Sequence, residues 1–231
     1  MDLTSFPGLP KEGFRFLAEL GANNNRPWFK AHEQRYKAAL KEPAEALELE
    51  LAEALEERFG LEFRSKIFRL NRDLRFSKDK TPYNLYIRMS FCPAVPGQRN
   101  GGFAEGHLGL YLSLEAEKIM TGCGVFGFSK DQLETYRQAL LTKAGKELAA
   151  LVETATLQGQ HLFEPDLKKL PAPFGPDFPY PDLAKRKGLS LWREEPVPPE
   201  LHGPEAVRFL ADRLGRFSPL WAWLLEYLYR E

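Results

Sequence analysis

Hydrophobic side chains recur at helical spacing through the first part of the chain. Apolar positions between residues 11 and 20 predict a short amphipathic helix. Asn25 is predicted to cap a second helix that carries Pro27 in its first turn and runs to about Leu40. A third helix is predicted to begin at Pro43, because leucines spaced four residues apart mark one face and glutamates occupy the others. The chain is therefore expected to open with helices.

After these helices the pattern changes to the two-residue alternation of strands. Residues 63–70 and 86–92 are predicted to be strands joined by a polar loop. Leucines alternate along residues 107–114, and a turn then leads into a partner strand that ends near Phe126. These two segments are predicted to form an antiparallel hairpin. Residues 189–192, inside a proline-rich stretch, are predicted to add one more strand.

Helical patterns return after the hairpin. Ser129 and Gln132 form a capping-box pattern that opens one helix, and residues 144–156 predict another. The last two predicted helices cover residues 204–215 and 219–229. The fold class is therefore predicted to be α+β, with an antiparallel sheet of about four to five strands flanked by N-terminal and C-terminal helices.

The last predicted helix is unusually aromatic. It carries two tryptophans and two tyrosines, namely Trp221, Trp223, Tyr227 and Tyr229. Such a helix most often packs against its own domain, whereas an exposed subset of the rings would indicate a contact between two copies of the chain. Internal packing and a homodimer through this helix are therefore the two interpretations.

The composition is that of an ordinary globular protein. Hydrophobic residues make up 43% and charged residues 28% of the chain, which favours a single domain over residues 1–231. The N-terminus lacks a basic segment followed by an apolar one, and no run approaches the roughly 20 apolar residues that span a bilayer. Two cysteines are too few for a disulfide framework. We therefore expect a cytoplasmic protein that is neither secreted nor embedded in a membrane.

Charge is segregated along the chain, although the formal net charge is zero. Residues 64–80 hold seven basic side chains against two acidic ones, whereas residues 42–57 hold seven acids and no base. A protein that is neutral overall attracts nucleic acid only weakly at long range, but a local basic patch can bind a small anion. We therefore expect a small anion, rather than nucleic acid, as the partner.

The most distinctive chemistry lies in the basic loop, which we define as residues 69–80. Guanidinium groups stay charged at working pH, and their forked donors match carboxylate or phosphate oxygens two at a time. The candidate ligand-binding residues are Arg69, Arg72, Asp73, Arg75, Lys78, Asp79, Lys80 and Tyr83. We predict that they bind a phosphate-bearing or carboxylate-bearing small molecule, with or without catalysis.

Two other interpretations of the basic loop are open. In one, the loop is a structural ion network that pairs with the acidic helix, with Glu48 or Glu53 as partners; Asp73 and Asp79 are further partners within the loop. In the other, the chain is a non-catalytic interaction module that docks a protein or a nucleic acid through the basic loop or the aromatic helix. The interpretations differ in whether the guanidinium groups are already paired within the chain.

Other motifs that carry chemistry are absent from the sequence. The four histidines are scattered, and no His-x-x-x-His or Cys-x-x-Cys pair is present, so no metal is predicted. No phosphate-binding glycine fingerprint or Gly-x-Ser-x-Gly element occurs, so neither a cofactor nor a catalytic residue is assigned. Gly122, Gly124 and Gly127 predict a close backbone approach, either to a ligand or to a neighbouring helix. His107 is a candidate acid or base if it approaches the basic loop.

Several motifs spread over most of the chain form a distinctive set. They are Asn23-Asn24 followed by Trp28-Phe29, the stretch from Arg72 to Tyr83, the run Gly122-Cys123-Gly124-Val125-Phe126, and Leu183-Ala184-Lys185-Arg186-Lys187. Together they resemble the bacterial and fungal family known as domain of unknown function 2461. The chain differs from that family's usual pattern at Pro27, Asn84 and Leu110. The resemblance brings no established reaction, substrate or catalytic residue.

Overall fold

The computed structural model describes residues 6–94 and 106–229. Helices occupy both ends of this part of the chain, and strands lie mostly between them. In chain order the α-helices are α1 (Lys11–Ala22), α2 (Arg26–Ala31), α3 (Glu33–Tyr36), α4 (Glu42–Phe59), α5 (Lys130–Leu140), α6 (Lys143–Leu157), α7 (Pro181–Ala184), α8 (Ala206–Gly215) and α9 (Ser218–Leu228). A π-helical segment, Lys37–Lys41, joins α3 to α4, and a 3-10 helix occupies Pro199–His202.

The strands form an antiparallel sheet. They are β1 (Phe63–Ile67), β2 (Tyr86–Pro93), β3 (Leu108–Glu115), β4 (Lys118–Val125), β5 (His161–Leu162) and β6 (Leu189–Pro196). Their order across the sheet is β1-β2-β3-β4-β6-β5, and each neighbouring pair is antiparallel. The α+β prediction is confirmed, with helices at both ends of the chain.

The number of strands differs from the prediction. Four to five strands were expected, whereas the described residues contain six. The additional strand is β5, whose two residues pair with Trp192 and Leu191 of β6. Two residues are too few for any period to show in the sequence, so β5 depends on the edge that β6 offers. In turn, β6 continues to Pro196, beyond the predicted end at residue 192.

One face of the sheet is covered by helices. The alternating leucines of β3 are buried there together with leucines from α1, α4 and α8. On α4 the buried side is marked by Leu47, Leu51 and Leu55, each of which is 0% exposed. Burial of a leucine side chain contributes roughly 1.5–3 kcal/mol. The amphipathic pattern of the predicted third helix is therefore confirmed, and this packing holds the sheet in place.

The opposite face, which we call the second face, carries the other alternating residues. They include Tyr86, Arg88 and Ser90 of β2, Tyr111 and Ser113 of β3, Gly122 and Gly124 of β4, and Trp192 of β6. An alanine Cβ at Gly122 would lie 2.5 Å from Cε3 of Trp192, and one at Gly124 would lie 2.1 Å from the carbonyl oxygen of Leu189. The close approach predicted for Gly122 and Gly124 is thus present, but it is made to the neighbouring strand β6 and not to a helix. The prediction is wrong for Gly127, where an added Cβ would meet no atom within 4 Å.

The predicted helix caps are present, but one predicted helix break is not. The side chain of Asn25 accepts a hydrogen bond from Trp28 N at 3.0 Å. Ser129 Oγ accepts from Gln132 N at 3.2 Å, and Gln132 Oε1 accepts from Ser129 N at 3.1 Å. Between Tyr36 and Pro43 the chain stays helical, because the π-helical segment Lys37–Lys41 connects α3 directly to α4. Pro43 fits there because proline is tolerated in the first turn of a helix.

The aromatic side chains of α9 make contacts inside the chain. Trp221 and Trp223 are buried, and Trp223 Nε1 donates a hydrogen bond to the carbonyl oxygen of Ala144 at 3.1 Å. The hydroxyl of Tyr229 donates to the carbonyl oxygen of Gly106 at 2.6 Å. These contacts fit the internal-packing interpretation, and the homodimer through this helix stays a prediction.

Candidate anion-binding cleft

The basic loop extends from β1 and β2 as a hairpin that is closed at its base. Asn71 and Tyr83 form an isolated antiparallel bridge, and Asn84 N donates a hydrogen bond to the carbonyl oxygen of Leu70 at 2.7 Å. These bonds continue the pairing of the two strands for a few residues beyond β1. The loop therefore leaves the sheet in a defined direction.

An asparagine from the junction between α1 and α2 anchors this base. Asn24 Nδ2 donates to the carbonyl oxygen of Tyr83 at 2.9 Å, and Asn24 Oδ1 accepts from Tyr83 N at 3.1 Å. The Tyr83 ring is buried and stacks on Phe29 at 4.2 Å between ring centroids. Asn24 and Phe29 belong to the first of the motifs noted in the sequence, and both hold the loop against the N-terminal helices.

Arg72 is the hub of the loop. Its Nη1 atom donates to Asp79 Oδ2 at 2.5 Å, to the carbonyl oxygen of Thr81 at 3.1 Å, and to the Thr81 hydroxyl. Its Nη2 atom donates to Ser77 Oγ at 3.3 Å. Hydrogen bonds from a charged donor are stronger than neutral ones, and several on one guanidinium fix its orientation. Arg72 therefore ties the two sides of the loop together.

Arg75 forms a separate and more exposed ion pair. Its Nη2 atom donates to Asp73 Oδ2 at 2.6 Å, and its Nε atom donates to Asp73 Oδ1 at 3.0 Å. The Arg75 side chain is 77% exposed, so water screens this attraction strongly. The pair shapes the loop locally and contributes little to the stability of the whole chain.

These contacts act on both aspartates of the loop. The Arg75 side chain, followed by its backbone N–H, lowers the pKa of Asp73 to about 2. The backbone N–H of Thr81, followed by the Arg72 guanidinium, lowers the pKa of Asp79 to about 2. Donors within the loop therefore favour the charged form of each carboxylate.

The predicted pairing of the basic loop with the acidic helix is wrong for the described residues. The ion pairs of Arg72 and Arg75 use aspartates seven and two residues away. Glu48 of α4 instead interacts with Ser65 of β1, and burial raises the pKa of Glu48. A partner a few residues away requires the ordering of a much shorter chain segment than one on another helix, which explains the local choice.

A cleft of about 400 Å³ lies between the foot of the basic loop and β2. Its border includes Arg69, Asn71, Arg72, Asn84, Tyr86 and Arg88. The Cζ atom of Arg88 lies 3.8 Å from the centroid of the Tyr86 ring. Within residues 6–94 and 106–229, neither Arg69 nor Arg88 has a carboxylate at ion-pair distance. The cleft thus contains two guanidinium groups that form no ion pair within the described residues, although Asp73 on the same border attracts Arg69 at longer range.

The eight predicted site residues divide into two groups. Three of them border the cleft, namely Arg69, Arg72 and Asp73. The other five lie away from its border, namely Arg75, Lys78, Asp79, Lys80 and Tyr83. Among these, Lys80 Nζ donates to the carbonyl oxygen of Leu74 at 3.0 Å, and Tyr83 faces the core. The cleft therefore gathers only the residues near the base of the loop.

Three residues that border the cleft after the loop returns to the sheet were not predicted as site residues from the sequence. Arg88 and Tyr86 are the most important of these, with Asn84 beside them. Polar and apolar residues alternate along β2 in the sequence. This alternation places Tyr86 and Arg88 on the second face, whereas Ile87 and Met89 point to the helix-covered face. The same alternation in the sequence would have indicated Tyr86 and Arg88 as candidates.

His107 lies far from the cleft along the sheet. Ser113 of β3 is paired with Arg88, and six residues of chain separate Ser113 from His107. At roughly 3.3 Å per strand residue this corresponds to about 20 Å. Neither His107 nor the buried Tyr83 is placed to act as an acid or base in the cleft.

Arg88 also borders a second, smaller hollow on the second face. This hollow has a volume of about 80 Å³ and is lined by the rings of Tyr111, Phe126, Phe163 and Trp192. Tyr111 and Trp192 stack with their centroids 5.8 Å apart. The same guanidinium therefore joins a cationic cleft to an aromatic surface.

A comparison with known proteins places the chain in a family. The family model described as a conserved hypothetical protein (DUF2461) matches residues 12–223. The chain belongs to the DUF2461 family. The match confirms the resemblance seen in the sequence motifs and includes both the basic loop and Arg88. No curated protein has a sequence that matches the chain. The DUF2461 description names no reaction or ligand, so function must be argued from the cleft.

Neither a metal cluster nor a membrane-spanning helix is present in residues 6–94 and 106–229. This part of the chain has no cluster of three or more histidine, cysteine, aspartate or glutamate side chains that could hold a metal ion. None of its helices combines the length and apolar character needed to cross a bilayer.

Replacing Arg72 with alanine should destabilise the loop. Loss of the hydrogen bonds to Thr81 and Ser77 leaves those groups without their charged donor, and we expect the thermal midpoint to fall by about 4 °C. The matched control is Arg75→Ala, which removes an exposed pair and should leave the midpoint nearly unchanged. Thermal unfolding followed by circular dichroism measures both.

The difference in thermal midpoint between wild type and Arg72→Ala should become smaller in acid. The pKa of Asp79 is lowered from 3.8 to about 2, so its contribution is complete above pH 3.8 and is lost as the pH falls towards 2. The difference in midpoint should therefore narrow across that interval. A difference that is independent of pH, or an equal loss in Arg75→Ala, would contradict the assigned role of the Arg72–Asp79 pair.

Proposed function

We propose that the chain binds a small anionic molecule, bearing a phosphate or a carboxylate group, in the cleft between the basic loop and β2. The observation that carries the proposal is the pair Arg69 and Arg88, which border the cleft without a carboxylate partner among the described residues. Guanidinium groups in that state are suited to bind an oxyanion through two oxygens. A volume of about 400 Å³ also falls within the range of small-molecule sites.

The rest of the basic loop has a positioning role in this proposal. Asp79 and Thr81 hold Arg72, which keeps the loop edge beside the cleft in one conformation. Lys78 and Lys80 lie further out and add positive charge to the surroundings. An anion that enters the cleft would therefore meet donors that are already ordered, and less of its binding energy would be lost to ordering the protein.

Binding without catalysis is the form of this function that the cleft favours. Its described border contains no histidine, cysteine or serine. Asp73 is the carboxylate on that border, and its pKa of about 2 makes it a poor general base near neutral pH. The amide side chains of Asn71 and Asn84 offer neutral donors to a bound oxyanion.

A second candidate function is a non-catalytic interaction module. It is favoured by Phe76, whose side chain is 95% exposed in the middle of the loop, with the Arg75 guanidinium 5.9 Å from its ring. An exposed aromatic ring beside a cation is a common anchor at protein interfaces. In this alternative the ion pairs of Arg72 and Arg75 hold the loop in a conformation that exposes Phe76 to a partner, and the cleft binds no ligand.

A thermal-shift screen distinguishes the two functions. The purified chain is tested with inorganic phosphate, pyrophosphate, citrate, a nucleoside triphosphate and a short oligonucleotide. At a hundredfold excess over its dissociation constant, a ligand should raise the midpoint by about 5–10 °C. Arg88→Gln should abolish the shift, whereas Arg75→Gln, outside the cleft, should retain it.

The same screen defines what would overturn the proposal. No shift with any anion at millimolar concentration, or an equal shift in wild type and Arg88→Gln, would remove the cleft as the binding site. A shift lost in Arg75→Gln and kept in Arg88→Gln would move the site to the exposed part of the loop. Arg88 makes no ion pair within the described residues, so we expect Arg88→Gln to keep its fold. Circular dichroism of each variant checks this.

We also propose that this binding takes place in the cytoplasm. The support is the state of the two cysteines, Cys92 and Cys123, which are both buried and form no disulfide. Burial raises the pKa of the Cys123 thiol, which keeps it protonated and unreactive. Such thiols are compatible with a reducing compartment.

A further inference from the structure

A second cavity lies on the helix-covered side of the sheet, away from the basic loop. It has a volume of about 310 Å³ and is formed by α6, the start of α9 and one residue of β6. Most of its wall is apolar, with contributions from Leu151, Ala155, Leu191, Phe217 and Leu220. Cavities of this size and character commonly hold small molecules with an apolar body.

One arginine borders this cavity, and two others lie near it. Arg216 borders it directly, and the positive charges of Arg193 and Arg213 act on the Arg216 guanidinium. Arg213 is paired with Glu195, with Nε and Oε1 2.8 Å apart. Burial, followed by repulsion from Arg213 and Arg193, lowers the pKa of Arg216. Arg216 is exposed and stays charged, and its position beside two other cations makes this side of the cavity attractive to an anion.

The other acid near Arg216 is also occupied. Asp212 is paired with Arg58 of α4, with Oδ1 and Nη1 2.7 Å apart. Arg193 Nη1 donates to the carbonyl oxygen of Gln158 at 2.6 Å, and its Nε atom is buried without a partner. Among the described residues Arg216 has neither a carboxylate partner nor a hydrogen bond from its guanidinium. Two of the three arginines thus lack a counter-ion.

An amide side chain also borders the cavity. Gln160 is only 4% exposed and borders the cavity, yet its side chain has no hydrogen bond to the described residues. The Gln160 amide is not among the fully buried polar atoms without a partner, because it borders the open space of the cavity. It can therefore donate a hydrogen bond to an acceptor oxygen of a ligand in the cavity.

We propose that this cavity binds a small carboxylate with an apolar body, of the medium-chain fatty-acid type. The apolar part occupies the space between Leu151, Leu191 and Leu220, and the carboxylate lies at the Arg216 side within reach of the Gln160 amide. The first turn of α9 borders the same cavity, and the positive end of its helix dipole adds to the attraction. This site is separate from the cleft beside the basic loop and does not depend on the function proposed for it.

The chemistry of the wall selects this class of ligand. A compact phosphate would leave the apolar wall uncovered, and a neutral lipid would leave Arg216 without a counter-ion. A carboxylate with an apolar chain both covers the wall and pairs with Arg216. Burial of the chain and the charge-assisted hydrogen bond then both contribute to the binding free energy.

Isothermal titration calorimetry with sodium octanoate tests the proposal. Octanoate should bind the wild-type chain, whereas octanol and acetate, which each lack one half of the ligand, should bind at least about tenfold more weakly. Arg216→Gln should weaken octanoate binding by about tenfold or more. Ala150→Trp, at an exposed position on the cavity rim, should block binding by filling the space.

Two controls make the outcome decisive. Arg208→Gln removes an arginine of α8 that is 78% exposed and paired with Glu205, and it should leave octanoate binding unchanged. Arg88→Gln removes the cation of the other cleft and should also leave it unchanged. Equal affinity for octanoate and octanol, no octanoate binding at millimolar concentration, or retention of binding in Arg216→Gln would each overturn the proposal, as would loss of binding in Arg88→Gln alone.

Discussion

Replacement of Gly124 by alanine is expected to destabilise the protein by about 3–5 kcal/mol. Gly124 has a φ of +141°, a backbone conformation that residues with a side chain rarely adopt. The added Cβ would lie 2.1 Å from the carbonyl oxygen of Leu189 and 2.6 Å from Cα of Ser190. Both atoms belong to the backbone of β6, which cannot move away without breaking its pairing with β4.

Gly127→Ala is the matched control for this substitution. Gly127 lies three residues further along the chain, and an added Cβ there would meet no atom within 4 Å. Its effect should stay within about 0.5 kcal/mol. Urea denaturation followed by tryptophan fluorescence gives the free energy of unfolding for both variants. Equal effects of the two substitutions would contradict the close contact between β4 and β6.

Leu47→Ala is expected to destabilise the chain by roughly 2–5 kcal/mol. Leu47 lies on α4 with 0% of its surface exposed, and the residues around it include leucines of the same helix and of the sheet. Removal of the side chain loses its burial and leaves a cavity that the packed neighbours fill only in part. The same denaturation experiment measures the loss.

Leu49→Ala provides the comparison on the same helix. Leu49 is two residues away, but its side chain is 65% exposed. Its truncation should change the free energy of unfolding by less than about 0.5 kcal/mol. A large effect at Leu49 would show that this side of α4 is covered in solution, and a small effect at Leu47 would show that the leucine stripe does not face the core.

The arginines in and near the basic loop differ in whether they have a carboxylate partner. Arg72 and Arg75 appear in the sequence as equal candidates for binding an anion, but each has an aspartate of the loop as its partner. Arg88, which follows the loop on β2, has no such partner among the described residues and borders the cleft. The surplus positive charge that can attract a ligand therefore lies at the base of the loop.

The sequence by itself determined the parts of this protein that depend on neighbours a few residues apart. The leucine stripe of α4, the caps at Asn25 and Ser129 and the β3–β4 hairpin could all be predicted, because helix and strand periods and cap bonds involve residues within about four positions of each other. The motifs were also sufficient to indicate the DUF2461 family.

Only the tertiary structure decided which charged groups meet. Asp73 and Asp79 were available to the arginines of the loop as local partners, but the conformation of the folded loop decided that Arg75 pairs with Asp73 and Arg72 with Asp79. For the same reason the two-residue strand β5 could not be predicted, since it exists only because β6 offers it an edge. Arg88 and Arg216 are left without carboxylate partners, among the described residues, by packing between segments that are distant in the sequence.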